Sequence, residues 1–307
     1  MKSRKFYRDI LNHCYQRTAD GGVLFYSVSD HLVHFTTYCV LARKYKIRVY
    51  ALCHMPDHLH DSVSAKRKAD LEGFKQELNS YFSREYNKAY GLRGARFESP
   101  FGSAPKNSDK AARTNLVYVG NNPVERQLVE RAEEYQWNFL AYARSAHPFS
   151  QKLVIREARW PMQCAVKEVK AAFNAGKAVN YAMLKRIVKP LDKNERAQLT
   201  DYIIGLYNVI DYMAAARFFN GYDNFLEAMH ASTGSEHDLN EVFIGKSDAH
   251  YVRMSNVLLQ SGSVKETHEF LSLSVDQKLE LFDLLRRQTS AMGEQIAKFL
   301  HLPLKKL

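Results

Sequence analysis

The chain has 307 residues, 46 % of them hydrophobic and 25 % charged, which excludes a disordered protein and is enough for two domains with cores of their own. Its 44 Lys+Arg against 33 Asp+Glu give a net charge of +11. The excess sits in the first half: residues 1–150 hold 23 basic against 15 acidic side chains, or +8, and residues 151–307 hold 21 against 18, or +3. A basic surface is what a binder of phosphate backbones needs, because neutralising phosphates releases counterions. No apolar run approaches the roughly 18 residues of a membrane span, and the stretch after Met1-Lys2-Ser3-Arg4-Lys5 is amphipathic, so neither secretion nor a membrane span is expected. The four cysteines, at 14, 39, 53 and 164, form no Cys-x-x-Cys pair and read as buried free thiols in a reducing, cytoplasmic compartment.

In chain order, residues 10–17 read as a short strand, and Gly21-Gly22 followed by Val23-Leu24-Phe25 as a loop with a hydrophobic anchor. Ser29 or Asp30 can cap a helix running to about Tyr45, with Leu32, Val33, Phe35, Thr36, Cys39 and Val40 as its apolar stripe. Residues 46–52 are a strand with Ile47, Val49 and Ala51 on one face, Pro56-Asp57 is a turn, and residues 58–64 are the next strand. Residues 70–89 form a long amphipathic helix with Leu71, Phe74, Leu78, Tyr81 and Phe82 inward. Residues 93–103 are extended, and Ser108-Asp109 begins a helix that Pro123 ends. Strand, helix, strand, strand, helix, strand, helix predicts an α+β fold of ferredoxin-like type: an antiparallel sheet with helices on one face.

Two constellations in this segment carry chemistry. In an extended segment His58 and His60 project to the same side about 6.6 Å apart, close enough for two imidazoles to meet one metal ion, while Leu59 points into the core. Alone, a His-x-His pair is weak in a chain with 12 histidines. On the later helix Tyr118 and Asn122 stand at i and i+4, so a phenol and an amide oxygen look out from one face, one turn apart.

Together these blocks resemble the single-tyrosine HUH transposases, specifically the REP-associated tyrosine transposases related to the IS200/IS605 group. Met55-Pro56-Asp57-His58-Leu59-His60 is similar to that family's Met-Pro-Asn-His-x-His block, and Tyr118 to Val124 to its Tyr-x-x-x-Asn-Pro-Val block. Residues 92–101, with Gly94, Arg96 and Phe97, look like the Gly-rich, Arg-Phe segment between them. The resemblance covers about residues 5–145. It implies that His58, His60 and Asn122 hold a divalent cation, Mg or Mn, and that Tyr118 attacks single-stranded DNA to leave a covalent 5′-phosphotyrosine and a free 3′-hydroxyl, at hairpin or repeat sequences. Mixed imidazole and oxygen ligation suits these ions better than a structural zinc site. Arg93 and Arg96 are candidate phosphate contacts. Two positions depart from the pattern: Asp57 replaces Asn, and Asp61 sets a charge on the face opposite His60, where the sheet should be packed. Asp57, near the cation, could orient a histidine.

Trp137 to Tyr142 closes a first domain, 1–148, and His147-Pro148-Phe149-Ser150 is the linker to a helical second domain, 149–307. Helical spacing recurs over 163–176, 181–188, 193–208, 213–219, 224–229, 276–287 and 292–300. Gly234-Ser235-Glu236-His237-Asp238 and Gly245-Lys246-Ser247-Asp248 resemble phosphate loops only superficially. Residues 295–300 look like the first helix of a helix-turn-helix with His301-Leu302-Pro303 as its turn, leaving Leu304-Lys305-Lys306-Leu307 as a recognition helix that is too short. The expected protein is a DNA-acting monomer or homodimer that cleaves and joins single-stranded DNA. The rivals are a non-cleaving binder of DNA or RNA hairpins and an unrelated metal hydrolase using His58, His60 and Asp57.

Overall fold

Ser27 starts the first helix. Its side chain accepts the Asp30 N–H, and the Asp30 carboxylate accepts the Ser27 N–H at 2.8 Å, a reciprocal cap that satisfies two orphan donors. The capping residue is therefore Ser27 and not Ser29 or Asp30, because Asp30 is the third residue of the turn and reaches back. In the computed structural model, which describes residues 5–231, 245 and 247–303, the chain gives strand β1 (Asn12–Arg17), helix α1 (Val28–Lys44), the hairpin β2 (Arg48–His54) and β3 (His58–Ser64), helix α2 (Lys68–Tyr90), strand β4 (Gly102–Pro105) and helix α3 (Asp109–Glu125).

The four strands form one sheet in the order β2-β3-β1-β4, every neighbouring pair antiparallel. This is the ferredoxin-like arrangement, with β1 and β3 at the centre. Leu59, Asp61 and Val63 of β3 turn toward α1 and α2, and His58, His60 and Ser62 toward the other face. So α1 and α2 cover one face as expected, and α3 lies on the opposite one. A bulge between Val49 and Ala51 of β2 breaks the expected alternation: Val49 joins the α1–α2 core, while Tyr50 and Ala51 both pack with α3. Of residues 93–103, only Gly102 and Ser103 enter β4, and Phe97 makes a single bridge to Thr18. A Cβ at Gly102 would sit 2.0 Å from the Tyr15 ring, so glycine lets that ring lie across β4 where it pairs with β1.

Helices α2 and α3 also have other ends than the sequence spacing predicts. α2 begins at Lys68 and ends on Gly91, whose left-handed φ of 67° suits glycine; its buried tyrosine is Tyr86, with Tyr81 half-buried. α3 runs through Pro123 to Glu125, since proline removes one backbone donor while the next turn still closes through Arg126 N–H to the Asn122 carbonyl, 3.0 Å.

Asp61 does not leave a bare charge in the sheet. Its carboxylate accepts Lys75 Nζ of α2 at 2.6 and 2.7 Å and Tyr38 Oη of α1 at 2.7 Å, all buried. On the same side, His34 and His54 meet at 3.0 Å beside Phe25, and burial pushes both rings well below the usual imidazole range and His31 down to about 3. These are neutral packing histidines.

The remaining helices are α4 (Trp160–Asn174), α5 (Tyr181–Val188), α6 (Lys193–Tyr207), α7 (Tyr212–Arg217), α8 (Tyr222–Ala231), α9 (Ala249–Gln260), α10 (Val275–Gln288) and α11 (Gly293–Leu300). α9 had no counterpart in the sequence reading. One hydrophobic cluster runs from Cys14 and Phe35 through Phe82 to Val169 and Ile203, crossing residue 148. A separate cluster joins α9, α10 and α11 around Met254, Leu285 and Phe299. Gly234 to Asp238 and Leu304 to Leu307 lie outside the described residues. Cys14, Cys39 and Cys53 are buried, but Cys164 is exposed on α4. Among the described residues no helix is long and apolar enough to cross a membrane.

Asp30 ties the halves together. Its carboxylate takes the Tyr90 hydroxyl of α2, the Tyr181 hydroxyl of α5 and His268 Nε2, at 3.0, 2.9 and 2.9 Å. Burial alone would raise its pKa; the facing His268 and the Tyr181 hydroxyl outweigh it and hold the group below its ordinary 3.8. A depressed folded value means the stabilisation is present above pH 3.8 and is lost as acid protonates the native carboxylate. Asp30→Asn is therefore expected to lower the melting temperature at pH 7, with the difference from wild type shrinking as melts are repeated below about pH 4. Lys75→Met leaves the Asp61 carboxylate buried and uncompensated, and should cost about 3–5 kcal/mol in denaturant unfolding.

Candidate functional site

On the face opposite α1 and α2, β3 presents His58 and His60 and β1 presents His13. His13 Nε2 and His60 Nδ1 are 3.1 Å apart, with the rings stacked at 5.2 Å. The register explains this: Tyr15 pairs with His60 and His13 with Ser62, so His13 and His60 are diagonal neighbours on one face of the central strand pair. From α3, the Tyr118 hydroxyl stands 3.5 Å from His60 Nε2, and the Tyr118 ring meets His60 and His13 edge-on at 5.2 and 5.6 Å. The His58 and His60 ring centroids are 4.8 Å apart. Ser62 donates to Asn115 Oδ1 at 2.8 Å, fixing α3 in register over β3. Asn121 Nδ2 donates to the Met229 carbonyl at 2.7 Å, tying α3 to α8.

The structure thus brings His58 and His60 of β3 together with Tyr118 of α3 and adds His13 of β1, which the sequence reading missed. Asn122 lies one turn beyond Tyr118 on α3, and its Oδ1 is buried with no hydrogen-bond partner. Arg93 and Arg96 lie in the segment between α2 and β4. There Arg96 donates to the Arg93 carbonyl at 2.5 Å, and its backbone N–H donates to Ser83.

Asp57 occupies the β2–β3 turn, which is pinned by Leu24 and Phe25 N–H groups donating to the Pro56 carbonyl at 2.8 and 3.1 Å. One Asp57 oxygen is 2.5 Å from His58 Nδ1, and the other accepts Lys298 of α11. Burial opposes ionisation of this carboxyl, but His58 and Lys298 hold it well below the ordinary carboxylate range. An ionised carboxylate only accepts, so His58 carries a proton on Nδ1, and Nε2 is the atom with which the ring could bind a cation. Beside it Arg126 donates to Asp248 at 2.6 Å and to the Gly245 carbonyl at 3.1 Å. Gly245 and Asp248, the ends of the second loop-like stretch, are thus engaged by a protein side chain.

Among the described residues, no three His, Cys, Asp or Glu side chains are grouped to hold a metal ion. A cation bound here would need the asparagine oxygen as well as His58 and His60. The unpartnered Asn122 Oδ1 and the oriented His58 ring fit that donor set, two imidazoles and an oxygen. The pocket of residues is closed: Tyr118 is 4 % exposed, and His13, His60 and Asn122 no more than 1 %.

Residues 23–106 match the model of a family described as transposase IS200 like. That segment is IS200-transposase-like. It holds both histidines of β3 and the Asp57 turn, and it ends before α3 with Tyr118 and Asn122. A solved structure described as a REP-associated tyrosine transposase bound to a REP hairpin is 14 % identical over 45 % of this chain and 80 % of that one, with a TM-score of 0.39. No curated protein matches the chain.

Long-range ¹H–¹⁵N spectra of the imidazoles will show a protonated Nδ1 for His58 in the native chain. In Asp57→Ala that preference should collapse to a mixture of tautomers, since the acceptor that fixes it is gone.

Proposed function

We propose that the chain cleaves and rejoins single-stranded DNA through Tyr118, with Mg or Mn held by His58, His60 and the Asn122 oxygen, at hairpin or repeat sequences. The observation that carries this reading is the Tyr118 hydroxyl lying 3.5 Å from His60 Nε2, across the interface between α3 and the sheet. Nothing in the packing of an amphipathic helix requires a phenol to meet a buried histidine pair. The IS200-transposase-like segment and the +8 charge of residues 1–150 support the same reading.

The bound cation would polarise a non-bridging phosphate oxygen and so make phosphorus more electrophilic. The chain's own residues do the rest. His13 supports the His60 ring from its far nitrogen, and Asp57 fixes the His58 tautomer. Tyr118 Oη forms the bond to phosphorus as the bond to the 3′-oxygen breaks, and the proton that the phenol loses is matched by one taken up on the leaving 3′-oxygen. The product is a 5′-phosphotyrosine and a 3′-hydroxyl. Attack by a 3′-hydroxyl on that ester reverses the chemistry and joins strands without an external energy source.

The burial of Tyr118 favours a second reading: a chain that holds hairpin DNA or RNA on its basic surface without cutting it. The hydrolase reading built on Asp57 is weaker, because both carboxylate oxygens are engaged by His58 and Lys298. Incubation with labelled single-stranded hairpins and Mg or Mn, followed by denaturing electrophoresis, separates these. The expected result is a metal-dependent protein–DNA adduct that Tyr118→Phe and His58→Ala each reduce to background, with Tyr118→Phe melting within about 4 °C of wild type. Shifted but uncut DNA with every metal would favour the binder, and cleavage surviving Tyr118→Phe would favour the hydrolase.

A further inference from the structure

We infer that Lys298, on the last described helix, is a positioning residue for His58 and acts through Asp57, so that α11 completes the cation site of the β-sheet. The inference rests on the cation reading given under Proposed function, and it gives the helices beyond residue 245 a task that the similarity to transposases does not cover.

Lys298 is not a solvated surface lysine. Its side chain is 15 % exposed and its ammonium meets Asp57, itself 11 % exposed, across 241 residues of sequence. α11 has little freedom to withdraw: Ile296, Phe299 and Leu300 are fully buried, Tyr26 donates to the Phe299 carbonyl at 2.7 Å, and Gln295 donates to the Ser247 carbonyl at 2.9 Å. The Asp57 carboxylate therefore has one oxygen fixed by each partner, His58 Nδ1 and Lys298 Nζ.

The arrangement works as a chain of orientation. A carboxylate with one oxygen engaged can rotate about its Cβ–Cγ bond; a second, charged donor on the other oxygen removes that freedom. With the carboxylate fixed, the His58 ring is fixed in tautomer and in rotation, and Nε2 is held as the acceptor atom. Lys298 also balances a negative charge that burial would otherwise penalise. An uncharged acceptor in place of Asp57 would need no such balance, which is why the coupling between the two residues, rather than the loss of either alone, identifies the role.

The test is Mn²⁺ binding to the purified full chain without DNA, followed by electron paramagnetic resonance of the free ion. Lys298→Met should weaken Mn²⁺ binding by roughly 10-fold or more, the usual effect of losing a partner that orients a ligand, and Lys298→Arg should restore most of it. In an Asp57→Asn background, Lys298→Met should change the affinity by less than about twofold, because the residue it acts through no longer carries a charge. Equal Mn²⁺ affinity of wild type and Lys298→Met overturns the inference. So does an equal loss in both backgrounds, which marks a structural effect of loosening α11, and so does a wild-type chain that binds no Mn²⁺. Should Lys298→Met fail to fold, the Asp57→Asn pair and Lys298→Arg still decide, since a charge-coupling role predicts that the double variant folds and binds like Asp57→Asn alone. The hairpin adduct is scored separately: coupled Mn²⁺ affinities without an adduct would leave the inference standing and remove the cleavage reading.

Discussion

The period-two alternation of β3 is the constraint on which the rest of the molecule depends. β3 is a central strand, buried along its whole length, so every side chain must be suited to one of two packed faces. Leu59, Asp61 and Val63 meet α1 and α2, and His58, His60 and Ser62 meet α3. A slip of one residue would drive two histidines into the aliphatic core and set Leu59 where His60 now meets Tyr118. The Asp61–Lys75–Tyr38 cluster fixes the register from one side and the Ser62–Asn115 bond from the other. A buried charge that looks like a fault in the strand is thus matched by a lysine placed for it on α2.

The helical half is attached to this sheet at polar points as well as apolar ones. Asp30 gathers Tyr90, Tyr181 and His268; Arg126 at the end of α3 meets Asp248 at the start of α9; Lys298 reaches the Asp57 turn. Each of these contacts is buried or partly buried, so each is specific in geometry: a partner displaced by an ångström leaves a charge or hydroxyl unsatisfied. Two of the three converge on the β2–β3 turn and the end of α3, the elements that carry His58 and Tyr118. The chemistry proposed for this site therefore depends on residues far outside the segment that is IS200-transposase-like.

Much of this was legible in the sequence. The order of strands and helices follows from alternation and helical spacing, and the His-x-His pair and the Tyr118–Asn122 spacing follow from the same two periods. His13 was not legible, because a lone histidine in a short strand signals nothing until the β1–β3 register sets it beside His60. Lys298 was hidden for a related reason: in a terminal helix it reads as an ordinary basic residue, and its partner is fixed only by tertiary packing. The end of α3 was misjudged because Pro123 removes a donor without forbidding the turn that follows. The face on which α3 lies was not accessible from order alone, since a helix after the fourth strand can pack on either side of the sheet.

The most direct test of Tyr118 as the nucleophile is the identity of the residue that carries the nucleotide. After incubation of the chain with a single-stranded hairpin and Mn²⁺, nuclease and protease digestion followed by mass spectrometry will locate any covalent adduct. With Tyr118 as the nucleophile, a nucleotide 5′-phosphate is expected on the peptide containing Tyr118 and on no other tyrosine peptide. An adduct at a different residue, or cleaved DNA with Tyr118 unmodified, would contradict it.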